Sequence, residues 1–145
     1  MASTLTLGIV KPDAVTAAKT GAILAHLQKA GFTLRAARLV RLTRAEAAAF
    51  YAVHQGRPFY AELVEFMTSG PCLPMALERD DAVAQMRNVI GATDPAEAAP
   101  GTIRKLFAES KGRNAIHASD SMENAAREVA FFFTEGELAQ LWGKT

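Results

Sequence analysis

The chain interleaves short runs in which every second residue is apolar with longer runs in which apolar residues recur every three or four. Leu5, Leu7 and Ile9 alternate over residues 5–11, which predicts a strand stopped by Pro12-Asp13. Ile23, Leu24 and Leu27 fall at helical spacing within residues 20–30, and Gly31 supplies the C-terminal stop. A second strand is expected over residues 32–42. Thr43-Arg44-Ala45-Glu46 then matches a capping box and opens an alanine-rich helix through Tyr51 and His54. Gly56-Arg57-Pro58 turns the chain into a short helix at 60–68. Ser69-Gly70-Pro71 precedes a strand at 72–78 and a helix at 81–90. A loop of about ten residues, Gly91 to Gly101, carries two prolines and two glycines, and loops that long inside compact folds are often functional. Beyond it come a helical piece at 103–108 and a short strand at 115–117. A helix capped by Asp120 or Ser121 runs to about Phe131, and a last helix covers 135–142.

This order suits a βαββαβ sheet with its helices on one face: an α+β, ferredoxin-like sandwich with a four-stranded antiparallel sheet and flanking helices. The length, 145 residues, is that of one domain spanning 1–145, without internal repeats or linkers. Half the residues are hydrophobic and 21% are charged, so the chain can bury a core and intrinsic disorder is excluded. Sixteen basic residues against fifteen acidic leave a net charge of +1, too little for nucleic-acid binding by bulk charge. Cys72 is the only cysteine, so neither an internal disulfide nor a structural zinc site is available, and Cys72 reads as a small buried hydrophobe. No apolar run approaches a membrane span and residues 1–10 lack a signal-peptide pattern. A soluble, cytoplasmic protein is expected.

Cations recur beside turns and element ends: Lys11, Arg57, Arg87, Arg104 and Arg113. Pattern alone leaves each as ordinary solvated surface, with Arg104 set slightly apart by following Pro100-Gly101-Thr102 at a helix start. Neither GxGxxG nor a Walker A loop is present; Gly143-Lys144-Thr145 lacks the upstream glycine and the following helix. A phosphate site in this chain would have to be built from side chains. His26 and His54 fall inside predicted helices without metal-ligand spacing. His117 differs, because it ends a predicted strand in Asn114-Ala115-Ile116-His117-Ala118-Ser119-Asp120, just ahead of a helix N-terminus. An imidazole there can act as a nucleophile, with the helix dipole and Ser119 favouring anionic groups. Glu128 shares a helix face with Ser121 and Ala125, and could reach back to one imidazole nitrogen, fixing the tautomer and leaving the other nitrogen free. On pattern alone it reads first as an exposed helix glutamate, and Tyr51, Phe59 and Tyr60 as core.

Several segments in order resemble the nucleoside diphosphate kinase family: LTLGIVKPDAV at 5–15, FYAVHQGRPFY at 50–60, SGP at 69–71, DAV at 81–83, GATDP at 91–95, PGTIR at 100–104 and NAIHASDS at 114–121. The last is similar to that family's NxxHGSD signature, and the likeness covers nearly the whole chain. The resemblance implies that His117 takes the γ-phosphoryl group of a nucleoside triphosphate such as ATP on Nδ1 and passes it to a nucleoside diphosphate, a ping-pong reaction. It implies that Glu128 holds the other side of the ring, with help from Ser119. Lys11, Tyr51, Arg87, Thr93 and Arg104 would gather the phosphates, Asn114 and Lys11 would meet the ribose hydroxyls, and Phe59 would stack on the base. Mg²⁺ would be carried mainly by the nucleotide phosphates, with no dedicated protein ligands. Because stacking uses the π-face every base possesses, broad base and sugar tolerance is implied.

Two departures stand out. Ala118 replaces the glycine that normally follows the histidine, which costs about 1 kcal/mol if that residue needs positive φ. Lys111 stands where an apolar residue often covers the second face of the base. The ending soon after Trp142 resembles bacterial members, so a homo-oligomer is expected, a tetramer ahead of a dimer or hexamer. The alternatives to an enzyme are a regulatory module that binds nucleotide without catalysis and a nucleic-acid binder on a similar sheet. The first would be favoured by loss of the histidine, the carboxylate or the arginines, and all are present. The second would be favoured by an RNP-type aromatic strand, and none appears.

Overall fold

The computed structural model describes residues 4–141. The expected end of the last helix at Trp142, and the Gly143-Lys144-Thr145 tail, lie outside the described residues. Four strands, β1 (Leu5–Val10), β2 (Thr33–Ala37), β3 (Leu73–Glu78) and β4 (Ile116–Ala118), form one sheet in the order β2-β3-β1-β4. Each neighbouring pair is antiparallel, with Leu7 opposite Ala76, Ile9 opposite His117 and Leu34 opposite Leu77. This is the expected ferredoxin-like order. The helices are α1 (Pro12–Thr16), α2 (Thr20–Lys29), α3 (Arg44–Phe50), α4 (Tyr60–Met67), α5 (Ala82–Ile90), α6 (Ile103–Phe107), α7 (Met122–Phe132) and α8 (Glu135–Leu141).

The expectation that the helices share one face is corrected: they cover both. Leu7 and Ile9 pack with Phe50 of α3, Val64 and Met67 of α4 and Val129 of α7. On the opposite face Val10, Met75 and Leu77 pack with Ile23 and Leu27 of α2, Met86 of α5 and Ile103 of α6. The alternation along β1 hides this, because the residues facing α5 include Gly8, which has no side chain. A Cβ at Gly8 would lie 2.9 Å from the methyl at the end of the Met86 side chain, so α5 packs its methionine directly on bare backbone there.

Three local differences also have physical causes. Pro12-Asp13 does more than stop β1: proline at the first helical position opens α1, where its missing N–H would have been unsatisfied anyway. The strand expected at 32–42 leaves regular pairing after Ala37, with a register shift between Leu34 and Ala36 and an isolated bridge from Val40 to Cys72. The alanine-rich helix ends at Phe50, and a 3₁₀ turn, Ala52–His54, carries the chain onward.

The cap signals hold. Thr43 Oγ1 accepts the Glu46 N–H at 3.1 Å while Glu46 Oε1 accepts the Thr43 N–H at 2.9 Å. Ser121, rather than Asp120, caps α7 by accepting the Asn124 N–H at 3.1 Å. Cys72 is fully buried, and burial pushes its thiol up to about 11, so it stays protonated and inert. Among the described residues no helix is long and apolar enough to cross a membrane.

Candidate active site

His117 lies on the short edge strand β4 opposite Ile9, so its side chain emerges on the Ile9 face of the sheet. There the end of α3 meets it: the Phe50 and Tyr51 rings pack T-shaped on the imidazole, with centroids 5.3 and 5.8 Å away. Glu128 reaches it from the buried face of α7, which also carries Ala125, Val129 and Phe132. Glu128 is 6% exposed, so it is not the solvated helix glutamate that pattern alone allowed. Its Oε1 lies 2.8 Å from His117 Nε2 and accepts the Ser119 hydroxyl at 2.8 Å. Ser119 is itself fully buried, and its backbone N–H donates to Leu7 O.

The electrostatics of this triad assign the proton. Burial pushes the Glu128 carboxyl up, but the hydrogen bond and charge of His117, the Ser119 hydroxyl and Arg127 outweigh it. The carboxyl is held below its ordinary range. Glu128 is therefore a carboxylate at neutral pH, and Nε2 must carry the hydrogen it donates. In the neutral imidazole the lone pair then sits on Nδ1. A base held in this tautomer, with one nitrogen tied to a buried carboxylate, can form a bond to an electrophile at the other.

The turn ahead of β4 is tightly held. Ala115 has φ 75°, and the Ile116 N–H donates across it to Asn114 O at 2.9 Å, a γ-turn of the rare positive-φ kind. The Lys11 N–H donates to Ala115 O at 2.9 Å, and the Ala115 N–H donates to Asp13 Oδ2 at 3.1 Å. The buried Arg104 guanidinium brackets the turn, donating to Ile116 O at 2.7 Å, to Asn114 O at 3.4 Å and to Gly91 O at 3.1 Å. Gly91 must be glycine, since its φ is +88° and a Cβ would sit 2.6 Å from Thr102 Oγ1.

Next to the turn opens a cavity of about 740 Å³ lined by Lys11, Phe59, Phe66, Thr93, Lys111 and Asn114, among others. Lys11 Nζ donates to Asn114 Oδ1 at 2.9 Å, and Asn114 Nδ2 donates to Thr93 O at 3.3 Å. Burial first, and then the Arg104 charge, pull the Lys11 ammonium down to about 8, against the opposing pull of Asp13. Burial and Arg87 bring Arg104 to about 10, so both cations remain charged at neutral pH. Arg87 itself is exposed on α5, and its charge also reaches Asp120. The Tyr51 hydroxyl is buried without a partner, and burial, Glu128 and Cys72 all raise its pKa, so it is a fixed neutral donor. Phe59 is 46% exposed at the rim, tilted against His54 at 5.3 Å.

The structure thus gathers His117, Glu128, Ser119 and Tyr51 at one point and Lys11, Thr93, Arg104 and Asn114 beside it. Phe59 and Arg87 lie at the periphery. Ala118 lies in extended β4 and is not among the positive-φ residues, so the feared backbone cost does not arise; the left-handed position is Ala115. Lys111 is exposed at the cavity wall.

Sequence reasoning passed over Asp13 and Phe66. Phe59, Leu63 and Phe66 recur at i, i+4 and i+7, the spacing that puts one face of α4 on the cavity, and that signal was legible. Lys11 and Arg113 both lie over the Phe66 ring at 5.7 Å, a cation–π contact that only the fold creates. Nothing local marks Asp13, whose partner is 102 residues away.

The family model described as nucleoside diphosphate kinase matches residues 4–138. The chain is 58% identical over 135 residues to the nucleoside diphosphate kinase of Chlorobium chlorochromatii, covering 93% of this chain and 96% of that one. It superposes on the Aquifex aeolicus nucleoside diphosphate kinase with a TM-score of 0.90 at 47% identity, over 92% of this chain and 97% of that one. For the Encephalitozoon cuniculi nucleoside diphosphate kinase the TM-score is 0.88 at 34% identity, over 93% and 92%. With a family model spanning most of its length and two such superpositions, the chain belongs to the nucleoside diphosphate kinase family.

Proposed function

We propose that His117 is the nucleophile through which this member of the family moves the γ-phosphoryl group of a nucleoside triphosphate to a nucleoside diphosphate. The observation that carries this reading is the 2.8 Å contact between His117 Nε2 and the Glu128 carboxylate, which engages one ring nitrogen and leaves Nδ1 as the one able to attack. In the first half-reaction Nδ1 attacks the γ-phosphorus, the N–P bond forms, the bond to the β-phosphate oxygen breaks, and the nucleoside diphosphate leaves with the electron pair. The second half-reaction is the reverse, with a different diphosphate as acceptor.

Phosphoryl transfer needs positioning and dispersed positive charge more than covalent ingenuity. Lys11, Arg104 and Arg87 supply cations, Thr93, Tyr51 and Asn114 supply polar groups, and Phe59 supplies a stacking face for the base. Each hydrogen bond that Arg104 makes to a carbonyl leaves its fork less free to wander, and two of its five N–H groups remain for phosphate oxygens. A base held chiefly by stacking is poorly discriminated, consistent with broad base and sugar tolerance and with upkeep of the NTP and dNTP pools.

Among the described residues no three His, Cys, Asp or Glu side chains gather to hold a metal ion. Mg²⁺ would arrive on the nucleotide phosphates, as the family resemblance implies, and offset their negative charge. With soluble nucleotides as substrates, this reading places the protein in the cytoplasm. A homo-oligomer, tetramer first, is its expected form, to be checked by light scattering.

The test is to mix the protein with Mg²⁺ and γ-labelled ATP without acceptor, using His117→Ala as control. Label that is stable in alkali, lost in acid, absent from His117→Ala and chased onto GDP as GTP supports the reading. Bound nucleotide without label overturns it in favour of a regulatory module.

A further inference from the structure

We propose that Asp13 is a positioning residue for the reaction: its buried carboxylate holds the left-handed Ala115 turn and thereby aims the His117 ring. This rests on the reading of His117 as nucleophile. Asp13 is 5% exposed, and its Oδ2 accepts the Ala115 N–H at 3.1 Å across 102 residues of chain. Its Oδ1 is buried without any hydrogen-bond partner. A carboxylate kept buried and half satisfied is costly for a fold to retain, and such groups call for an explanation beyond packing.

The explanation lies in what the other oxygen holds. Among the described residues Ala115 is one of three non-glycine residues with positive φ, at 75°, and it centres a γ-turn that is strained for any residue with a Cβ. Strained conformations persist only where the surroundings over-determine them, and they gather at functional sites. Here the restraints are the Asp13 carboxylate on the N–H of Ala115, the Lys11 N–H on its carbonyl, and the Arg104 guanidinium on the carbonyls on either side. Of these, only the Asp13 bond grips the N–H of the strained residue itself. His117 is two residues further on, in a strand of three residues at the sheet edge, so the direction of the turn sets where its ring enters the Glu128 and Ser119 pair.

Asp13 also opens α1 at its second position, which ties the turn to the first βα junction that carries Lys11. The same carboxylate holds the turn that leads to the nucleophile and acts through its charge on the ammonium of the cavity wall.

The experiment follows the single-turnover rate of His117 phosphorylation by γ-labelled Mg²⁺-ATP at pH 6.5, where Lys11 is charged, together with ATP affinity and thermal stability. Asp13→Ala is expected to slow labelling by about 10- to 100-fold at saturating ATP, the scale of the backbone strain at Ala115 that Asp13 would no longer hold, while the dissociation constant for ATP moves by less than about 3-fold. Asp13→Asn, which keeps an oxygen for the Ala115 N–H, is expected to label within about 5-fold of the parent. Glycine adopts positive φ without the Cβ penalty, so in an Ala115→Gly background the Asp13→Ala loss is expected to shrink to under about 5-fold. That rescue is a result no general folding role would produce. Parent-like labelling by Asp13→Ala, or an equal loss with alanine or glycine at 115, overturns the inference while leaving the reading of His117 intact. Failure of the parent protein itself to label overturns both.

Discussion

Replacing Glu128 by glutamine removes one negative charge from the site and almost nothing else. Both hydrogen bonds, from His117 Nε2 and from the Ser119 hydroxyl, converge on the same oxygen at 2.8 Å. A glutamine with its carbonyl oxygen at that point keeps both bonds as neutral ones. Bonds to a charged acceptor contribute ~1.5–3 kcal/mol, and bonds between neutral groups ~1 kcal/mol. The difference, about 0.5–2 kcal/mol in the state where the ring becomes positive, slows His117 phosphorylation about 2- to 30-fold. If the amide turns its NH₂ toward Nε2 instead, the proton is forced onto Nδ1 and the nucleophilic lone pair disappears, so the loss is larger still. Quenched-flow labelling with γ-labelled Mg²⁺-ATP reads the rate directly, and ATP affinity should stay within about 3-fold because Glu128 touches the ring and not the cavity. Labelling of Glu128→Gln at the parent's rate would refute the reasoning that this carboxylate sets the tautomer and steadies the cationic ring.

Other predictions follow from the same geometry. Phosphate binding favours charged Lys11, whose ammonium sits at about 8, so diphosphate affinity should fall as pH rises through 8 with proton uptake on binding. Calorimetry in buffers of different ionisation enthalpy measures it, and a flat profile to pH 9.5 would count against it; Lys11→Arg should abolish the decline. Because Glu128 is held below its ordinary pKa, its contribution to stability is present above about 4.5, the unfolded value, and lost as pH falls through the folded one. Glu128→Gln should therefore show a smaller drop in Tm between pH 6 and pH 3.5 than the parent. Phe59→Ala should weaken nucleotide binding by about 5- to 150-fold, the scale of ~1–3 kcal/mol per stacked base, with little change in the rate at saturation. Ala118→Gly should lower stability by about 0.5–1 kcal/mol in thermal unfolding and bring no gain in rate, because the position is an extended strand residue rather than a left-handed one.

The elements were legible because their signals are local. Alternation marked β1, the Thr43–Glu46 box marked the start of α3, and Gly31 marked the end of α2; each pattern acts within a turn or two of chain. His117 stood out by its setting ahead of a helix N-terminus, although Ala115 rather than Ala118 proved to be the strained position. The two-sided core was not legible, because Gly8 and Thr6 carry no apolar side chain to betray the second buried face of β1. The split of residues 32–42 after Ala37 was also hidden, since it depends on pairing with β3, which is some forty residues away.

By itself, the sequence determined the order and type of the elements, the caps that start them and the motif order that identifies the family. It left Glu128 undecided between surface and site, and Lys11 among the ordinary cations. Only the tertiary structure put Glu128 against His117, Lys11 on Asn114 and Asp13 on Ala115, pairs 11, 103 and 102 residues apart. The reason is range. Propensity, capping and periodicity act along a few residues, whereas a tautomer, a lowered ammonium pKa or a held turn depends on which atoms the fold brings within about 3 Å and removes from water.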